Sequence, residues 1–355
     1  MSNVSEVDLG FETLDQVFEF LSLDKHTVAE GMVFEDVFDQ VLERVPKYLH
    51  REVVVLGVET FVAKNSSGKL VAFVWSRSAG VGLRRYLRAL AVRCEVYVVM
   101  WEAGECRFYA KSYPSVVKEN KYVPLIELVS KIGNVNSREH QVDLSVRNQA
   151  RQLGAFYGHL SNVHLGRTKE RVALTRYLVN CIIQPWFSGV WNIDRVLLVD
   201  EELIALEAKH KYPFGQGEWS GFGLNDGEAF LLGELIDCGV RVLHTILVKP
   251  YWDKNVGSSY LLSNLKARDN AHVLGIEMTR QYIDRVLRRK SRAAPAETSI
   301  DGKNKVYYKS LYVREFFSMS VLSKVEEVAE KIAGLIDGQL STKITDVELL
   351  SARLQ

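Results

Sequence analysis

Apolar positions recur at helical spacing over residues 13–23 and 34–49, and Pro46 is expected to kink or end the second of these helices. The pattern then turns β-rich, with a run at 52–63, a polar turn at Asn65-Ser66-Ser67-Gly68 and a second run at 69–75. A helix is predicted over 82–92, strands near 95–101 and 106–110, and a short helix over 123–132. The polar segment 134–141 reads as a domain boundary. Helical spacing returns over 143–160 and 168–184, the latter with Val172, Leu174, Leu178 and Ile182 as its apolar stripe.

The next stretch organises the chain. An apolar run, 195–199, reaches the acidic turn Asp200-Glu201-Glu202, and a second run, 203–206, leads directly into Glu207-Ala208-Lys209. Two β-rich runs joined by a short polar turn predict an antiparallel hairpin. A helix over 226–238, closed by Gly239, then feeds a strand over 240–248. Beyond Asp253 the spacing is mainly helical, over 258–270, 278–290, 323–337 and 345–354. The expected organisation is an N-terminal α/β domain (1–135), an α/β core (136–255) and a mainly helical C-terminal region (256–355).

The hairpin carries the chemistry. Side chains alternate across a strand, so Glu207 and Lys209 project the same way, and the hairpin brings Asp194 beside them. Charges converging at the end of an apolar sheet are costly to desolvate unless they are paired or hold an ion. Mg²⁺ favours a few carboxylate oxygens with water and phosphate oxygens, a demand that Asp194, Glu207 and the Ala208 carbonyl could meet. Lys209 would orient the attacking water and help to deprotonate it.

These residues resemble the PD-(D/E)xK nuclease superfamily, whose pattern is an Asp followed across a hairpin by (Asp/Glu)-x-Lys. Twelve residues separate Asp194 from Glu207-Ala208-Lys209, a spacing similar to that of Holliday-junction resolvases and many restriction enzymes; Asn192-Ile193 stand where the motif's proline would be. The resemblance covers residues 167–250. It implies a restriction-endonuclease-like mixed sheet flanked by helices, Mg²⁺ or Mn²⁺ as cofactor, and phosphodiester hydrolysis with DNA as the default substrate. It also implies a Glu from the preceding helix, for which Glu170 is the candidate; a carboxylate favoured by the helix N-terminus is the alternative. A restriction, phage-defence or mobile-element role follows by analogy only. The rival reading is a nuclease-like protein that binds nucleic acid or serves in assembly without cutting.

Composition narrows the partners. The 355 residues carry a net charge of +1, so no global basic field marks a nucleic-acid binder, and any such surface must be local. The densest basic cluster is 285–292, with Arg285, Arg288, Arg289, Lys290 and Arg292 as candidate phosphate contacts. Arg84, Arg85, Arg88 and Arg93 make the 82–92 helix basic, either as a solvated face or as a second phosphate surface. Tyr212, Phe214, Trp219 and Phe222, in the glycine-rich stretch after Lys209, could stack on bases or pin a loop. Four well-separated cysteines read as reduced, with no metal-ligand spacing, and a third ligand is lacking beside His159 and His164. With no apolar run long enough to span a membrane and no secretory signal, a cytoplasmic protein is expected. The C-terminal helices read as packing or dimerisation elements, compatible with a homodimer.

One further expectation comes from laying 68–78 beside 201–211. The two segments match in apolar pattern, and each follows a β-rich run and precedes a helix and a strand. Val74 stands where Glu207 does and Ser76 where Lys209 does, so the N-terminal domain is expected to be a degenerate copy of the core; the alternative is that any two strand–turn–strand–helix–strand units look alike under one hydrophobic pattern.

Overall fold

The computed structural model of the chain describes residues 13–24, 26–77, 80–114, 121–138, 142, 168–215, 217–253, 260–294 and 306–354. The expected helix at 143–160, His159 and His164 lie outside the described residues. The strands are β1 (Val53–Val55), β2 (Val58–Lys64), β3 (Leu70–Ser76), β4 (Cys94–Glu102), β5 (Arg107–Tyr113), β6 (Val123–Pro124), β7 (Val190–Ile193), β8 (Arg195–Val199), β9 (Glu202–Lys211), β10 (Gly221–Asn225), β11 (Arg241–Val248), β12 (His272–Glu277), β13 (Arg292–Ala293), β14 (Tyr307–Tyr312) and β15 (Phe317–Val321). Helices and mixed sheets together make the chain an α/β protein. Among the described residues no helix is long and apolar enough to cross a membrane.

The chain divides into two compact units, and neither is a single stretch of sequence. One comprises Met1–Ala29, Leu56–Ile193 and Ala296–Asn304; the other comprises Glu30–Val55, Asp194–Pro295 and Lys305–Gln355. This division differs from the three consecutive segments expected. Residues 256–355 do not stand apart, because β12 and β15 complete the sheet that contains β9.

The first unit is built on the sheet β6-β5-β4-β3-β2-β7. Its centre, β3, is buried on both faces from Leu70 to Trp75, which is why its sequence is continuously apolar rather than alternating. Helix Leu83–Leu90 connects β3 to β4, which runs parallel to it; the remaining pairings are antiparallel. The predicted 168–184 helix belongs to this unit. Its regular turn, Leu174–Tyr177, is flanked by wide π-type turns at Thr168–Ala173 and Leu178–Ile183.

The second unit is built on the sheet β1-β8-β9-β11-β12-β15. The β8–β9 turn is two residues long, and Asp200 takes a positive φ of 50° there, which a short polar side chain tolerates. Arg51 Nε holds the Asp200 carboxylate at 2.7 Å and the Glu52 N–H donates to it at 3.1 Å, so the acidic turn is also a fixed one. Helix Asp226–Asp237 returns the chain to β11, parallel to β9, and packs against helix Arg280–Arg288. Helix Val325–Ile336 covers the opposite face so closely that a Cβ at Gly275 of β12 would lie 3.1 Å from Leu335 Cδ2. A separate small sheet, β10-β14-β13, completes the unit.

The two large sheets follow one plan. Read from β7 or from β1, the successive pairings are antiparallel, antiparallel, parallel, antiparallel and antiparallel. In this order β3 and β9 occupy the same place, as do β4 and β11, and among the described residues each parallel connection contains one α-helix. The edge strands are exchanged in sequence: β1 directly precedes β2 but pairs with β8, while β7 directly precedes β8 but pairs with β2.

Candidate active site

Asp194 directly precedes Arg195, the partner of Leu206 across the hairpin, so it stands opposite Glu207. Its Oδ2 accepts the Ala208 N–H at 3.2 Å. The N–H and C=O of one strand residue point toward the same neighbouring strand, so the Ala208 carbonyl shares the side on which Asp194 lies. The Glu207 carbonyl points the other way, toward β11, where Thr245 Oγ1 donates to it at 3.2 Å.

Lys209 gathers the acids. Its ammonium contacts Glu207 Oε1, lies 3.6 Å from Asp194 Oδ2 and 3.3 Å from Glu228 Oε1. Glu228 comes from the first turn of helix Asp226–Asp237, which is started by Asn225 accepting the Gly227 N–H at 2.8 Å. The sequence reading missed it. Its signal was present: an Asn cap three residues before a Glu, directly after the hairpin and its loop. Lys211, two residues beyond Lys209, donates to the Gly223 carbonyl, and His244 is the β11 partner of Glu207.

Burial sets the electrostatics. Glu207 is 4% exposed, and burial, then the Asp194 charge, push its carboxyl well above the usual carboxylate range. Burial acts on Glu228 in the same sense, but Lys209, Lys211 and His244 outweigh it and pull its pKa down to about 2. Of the two, Glu207 is the carboxyl held toward its protonated form and Glu228 the one held toward its anion. Burial alone would lower the pKa of Lys209; Asp194, Glu207 and Glu228 together hold it well above its ordinary value. Lys209 is thus held as an ammonium that can orient water or stabilise anionic charge.

The donor set suits a hard divalent cation: one buried carboxylate, Glu207, two half-buried ones, Asp194 and Glu228, and a backbone carbonyl, with no sulfur. Among the described residues no three His, Cys, Asp or Glu side chains already stand as a cation cage. The centre of the Asp194–Glu207–Glu228 trio is taken by the Lys209 ammonium.

The remaining candidates separate. Glu170 is exposed, sits in the other unit and is not among the groups acting on Glu207 or Lys209. Instead, helix His26–Leu42 serves the hairpin. Asp39 binds Arg195 Nε at 2.8 Å, Glu35 lies 3.4 Å from Arg195 Nη2, and Phe34 stacks on His210 at 5.4 Å. In the basic cluster, Arg285, Arg288, Lys290 and Arg292 are exposed, whereas Arg289 is engaged by Glu315 at 3.0 Å. Of the aromatic residues, Phe222 is core, Tyr212 and Phe214 are half-buried, and Trp219 is exposed.

His244 makes a pH prediction. It is 1% exposed, its Nδ1 has no hydrogen-bond partner among the described residues, and burial lowers its pKa to about 3 despite Glu228. The unfolded chain takes up this proton below about pH 6.5 and the folded chain does not until about pH 3. Stability from His244 therefore falls as pH drops through that window, by at most about 1.4 kcal/mol per unit. Glu228 adds a loss of the same sign below its ordinary value of 4.5, whereas Glu207 has the opposite slope above 4.5. Urea unfolding at pH 3.5, 4.5, 5.5 and 6.5 should show acid lability that His244→Leu reduces; parallel profiles would contradict it.

No family model, curated protein or solved structure matches the chain.

Proposed function

We propose that the chain is a metal-dependent endonuclease of the PD-(D/E)xK kind that hydrolyses phosphodiester bonds, with DNA as its substrate. The observation that carries this reading is the convergence of Asp194, Glu207 and Glu228 on Lys209 at the end of a buried hairpin. Simple surface ion pairs contribute little, and they are not built on an acid as deeply buried as Glu207. Helix, hairpin, helix and parallel strand, which the resemblance implies, all occur around this cluster, with the hairpin's flanking helix supplied by His26–Leu42 rather than by the sequence immediately before it.

Asp194, Glu207 and the Ala208 carbonyl would hold Mg²⁺ or Mn²⁺, with Glu228 beside them. When bound, the cation supplies Lewis-acid stabilisation of charge on the scissile phosphate. Lys209 keeps a permanent positive charge beside the reacting phosphate and positions the attacking water. The Asp194 carboxylate is itself positioned by the Ala208 N–H. The first unit shares the sheet plan but not these groups. Thr60 and Val74 are partners at the matching place in its hairpin, and the Tyr86 hydroxyl donates to Thr60 at 3.0 Å. This supports a non-catalytic copy that no longer holds a cation.

The test is incubation of the protein with duplex, branched and single-stranded DNA, and with RNA, in Mg²⁺ or Mn²⁺. Cation-dependent cleavage of DNA that disappears in Asp194→Asn is the expected result. Failure to cut any of these substrates, or equal cutting by the variant, would remove the assignment.

A further inference from the structure

We infer that the small sheet β10-β14-β13 is a stacking platform for unpaired bases and delivers a single-stranded segment to the Lys209 cluster. The inference rests on the nuclease reading for its substrate, not for its geometry.

Side chains on one face of a strand recur every second residue, which places Tyr308 and Tyr312 of β14 on the same face as their partners Asn225 and Gly221 of β10. That face is aromatic. Phe214 meets Tyr308 with ring centroids 5.5 Å apart, and Trp219 meets Tyr312 edge-on at 6.0 Å. The rings lie so close to the sheet that β10 needs glycine beneath them: a Cβ at Gly223 would stand 3.0 Å from Tyr308 Cδ2. Trp219 is 62% exposed, so the largest ring of the group presents much of its surface to solvent.

Guanidinium groups alternate with these rings. Arg292 lies 5.4 Å from the Phe214 centroid and Arg314 5.5 Å from that of Tyr312, and both are exposed. Glu315, the adjacent acid, is held by Arg289, so it does not oppose a bound polyanion. Aromatic faces and cations interleaved in this way suit single-stranded nucleic acid, whose bases are free to stack while its phosphates meet the arginines. A duplex offers no free base face to Trp219.

The platform is joined to the catalytic cluster by direct bonds. Asn225 ends β10 and caps the helix that carries Glu228, and Lys211 donates to the Gly223 carbonyl in the middle of β10. Ser291, next to Arg292, donates to Asp226 at 2.7 Å, two residues from Glu228. A strand stacked on Trp219 therefore has its phosphates led along Arg292 toward the Asp226 end of that helix.

The test uses the full chain in EDTA, so that binding is read without cleavage. Fluorescence anisotropy would follow a labelled oligothymidylate and a labelled duplex of equal length. Trp219→Ala should weaken binding of the single strand by about tenfold, with Trp219→Phe retaining most of the affinity and the duplex little affected in either variant. Arg292→Ala with Arg314→Ala should weaken the single strand and flatten its salt dependence. Unchanged single-strand affinity in Trp219→Ala, or an equal loss for the duplex, would overturn the inference. It is separable from the nuclease assignment: a protein that cuts no substrate but binds single strands through Trp219 loses the assignment and keeps the platform, whereas a nuclease indifferent to Trp219 does the reverse.

Discussion

Glu207→Gln is expected to reduce phosphodiester cleavage by at least about a hundredfold and to raise the melting temperature at neutral pH. The loss follows because an amide keeps the shape but cannot supply the anionic oxygen that the site requires. The gain follows from proton linkage. The Glu207 pKa is raised in the folded chain by burial and then by Asp194, so above pH 4.5 folding must capture a proton that the unfolded carboxylate lacks. Stability associated with Glu207 is therefore complete at low pH and declines as pH rises through 4.5. Gln is neutral at every pH and can still donate toward Glu228, so it removes this cost. Relief of such functional strain is worth about 0.5–2 kcal/mol, which differential scanning calorimetry at pH 5, 6 and 7 can resolve. The advantage of Gln should grow with pH across that series. A variant that cuts at the wild-type rate, or that loses stability at pH 7, would contradict the account of the cluster.

Lys209→Ala should also abolish cleavage, but with the opposite effect on stability. Removing the ammonium leaves the Asp194 and Glu228 carboxylates without their shared counter-charge, and stripping one partner from a buried ionic group costs about 3–5 kcal/mol. The pair of variants therefore separates the two roles of charge at this site: Glu207 is tolerated by the fold, and Lys209 is needed by it.

The hairpin was legible because two local signals agreed. The run Leu203-Ile204-Ala205-Leu206 is apolar at every position, as a strand buried on both faces must be, and the polar turn is short enough to fix the register. Once register is fixed, the positions of Asp194, Glu207 and Lys209 follow from alternation alone. The matching plan of the two sheets was legible for the same reason, since 68–78 and 201–211 share that pattern. What could not be read was which sheet each helix joins. The Thr168–Ile183 segment and β7 adjoin the Asp194–Lys209 hairpin in sequence yet belong to the first unit, while β1 and residues 30–42 of helix His26–Leu42 belong to the second. Amphipathic spacing states that a helix has an apolar face and is silent on what covers it. Glu170 lies on that first-unit segment. Glu228 was missed for a different reason: a carboxylate in a first helical turn is ordinary in sequence, and only the fold reveals that it is buried against Lys209.

The basic cluster teaches the same lesson and supplies the last prediction. In sequence, Arg285, Arg288, Arg289, Lys290 and Arg292 form one group of candidate phosphate contacts. In the structure Arg289 is turned inward, its side chain 14% exposed against a Glu315 that is 18% exposed. It donates to both Glu315 oxygens and to the Ser310 carbonyl, lies 4.6 Å from the Tyr312 ring centroid, and shares Glu315 with the Tyr282 hydroxyl at 2.7 Å. Arg289→Ala would leave the Glu315 carboxylate without its cation and the Ser310 carbonyl without its side-chain donor. The expected cost is about 3 kcal/mol in chemical denaturation, and Arg289→Lys should recover only part of it because an ammonium cannot reproduce the paired guanidinium bonds. Arg288→Ala with Lys290→Ala should behave oppositely. Both residues are exposed, so stability should stay within about 0.5 kcal/mol of wild type. The slope of log affinity for nucleic acid against log salt should become shallower by about 1.5, the value for two lost phosphate contacts. Denaturation and salt titration on the same three proteins would distinguish the roles. If Arg289→Ala unfolds like wild type, or if the double variant keeps the wild-type salt slope, the inward and outward arginines have been assigned wrongly.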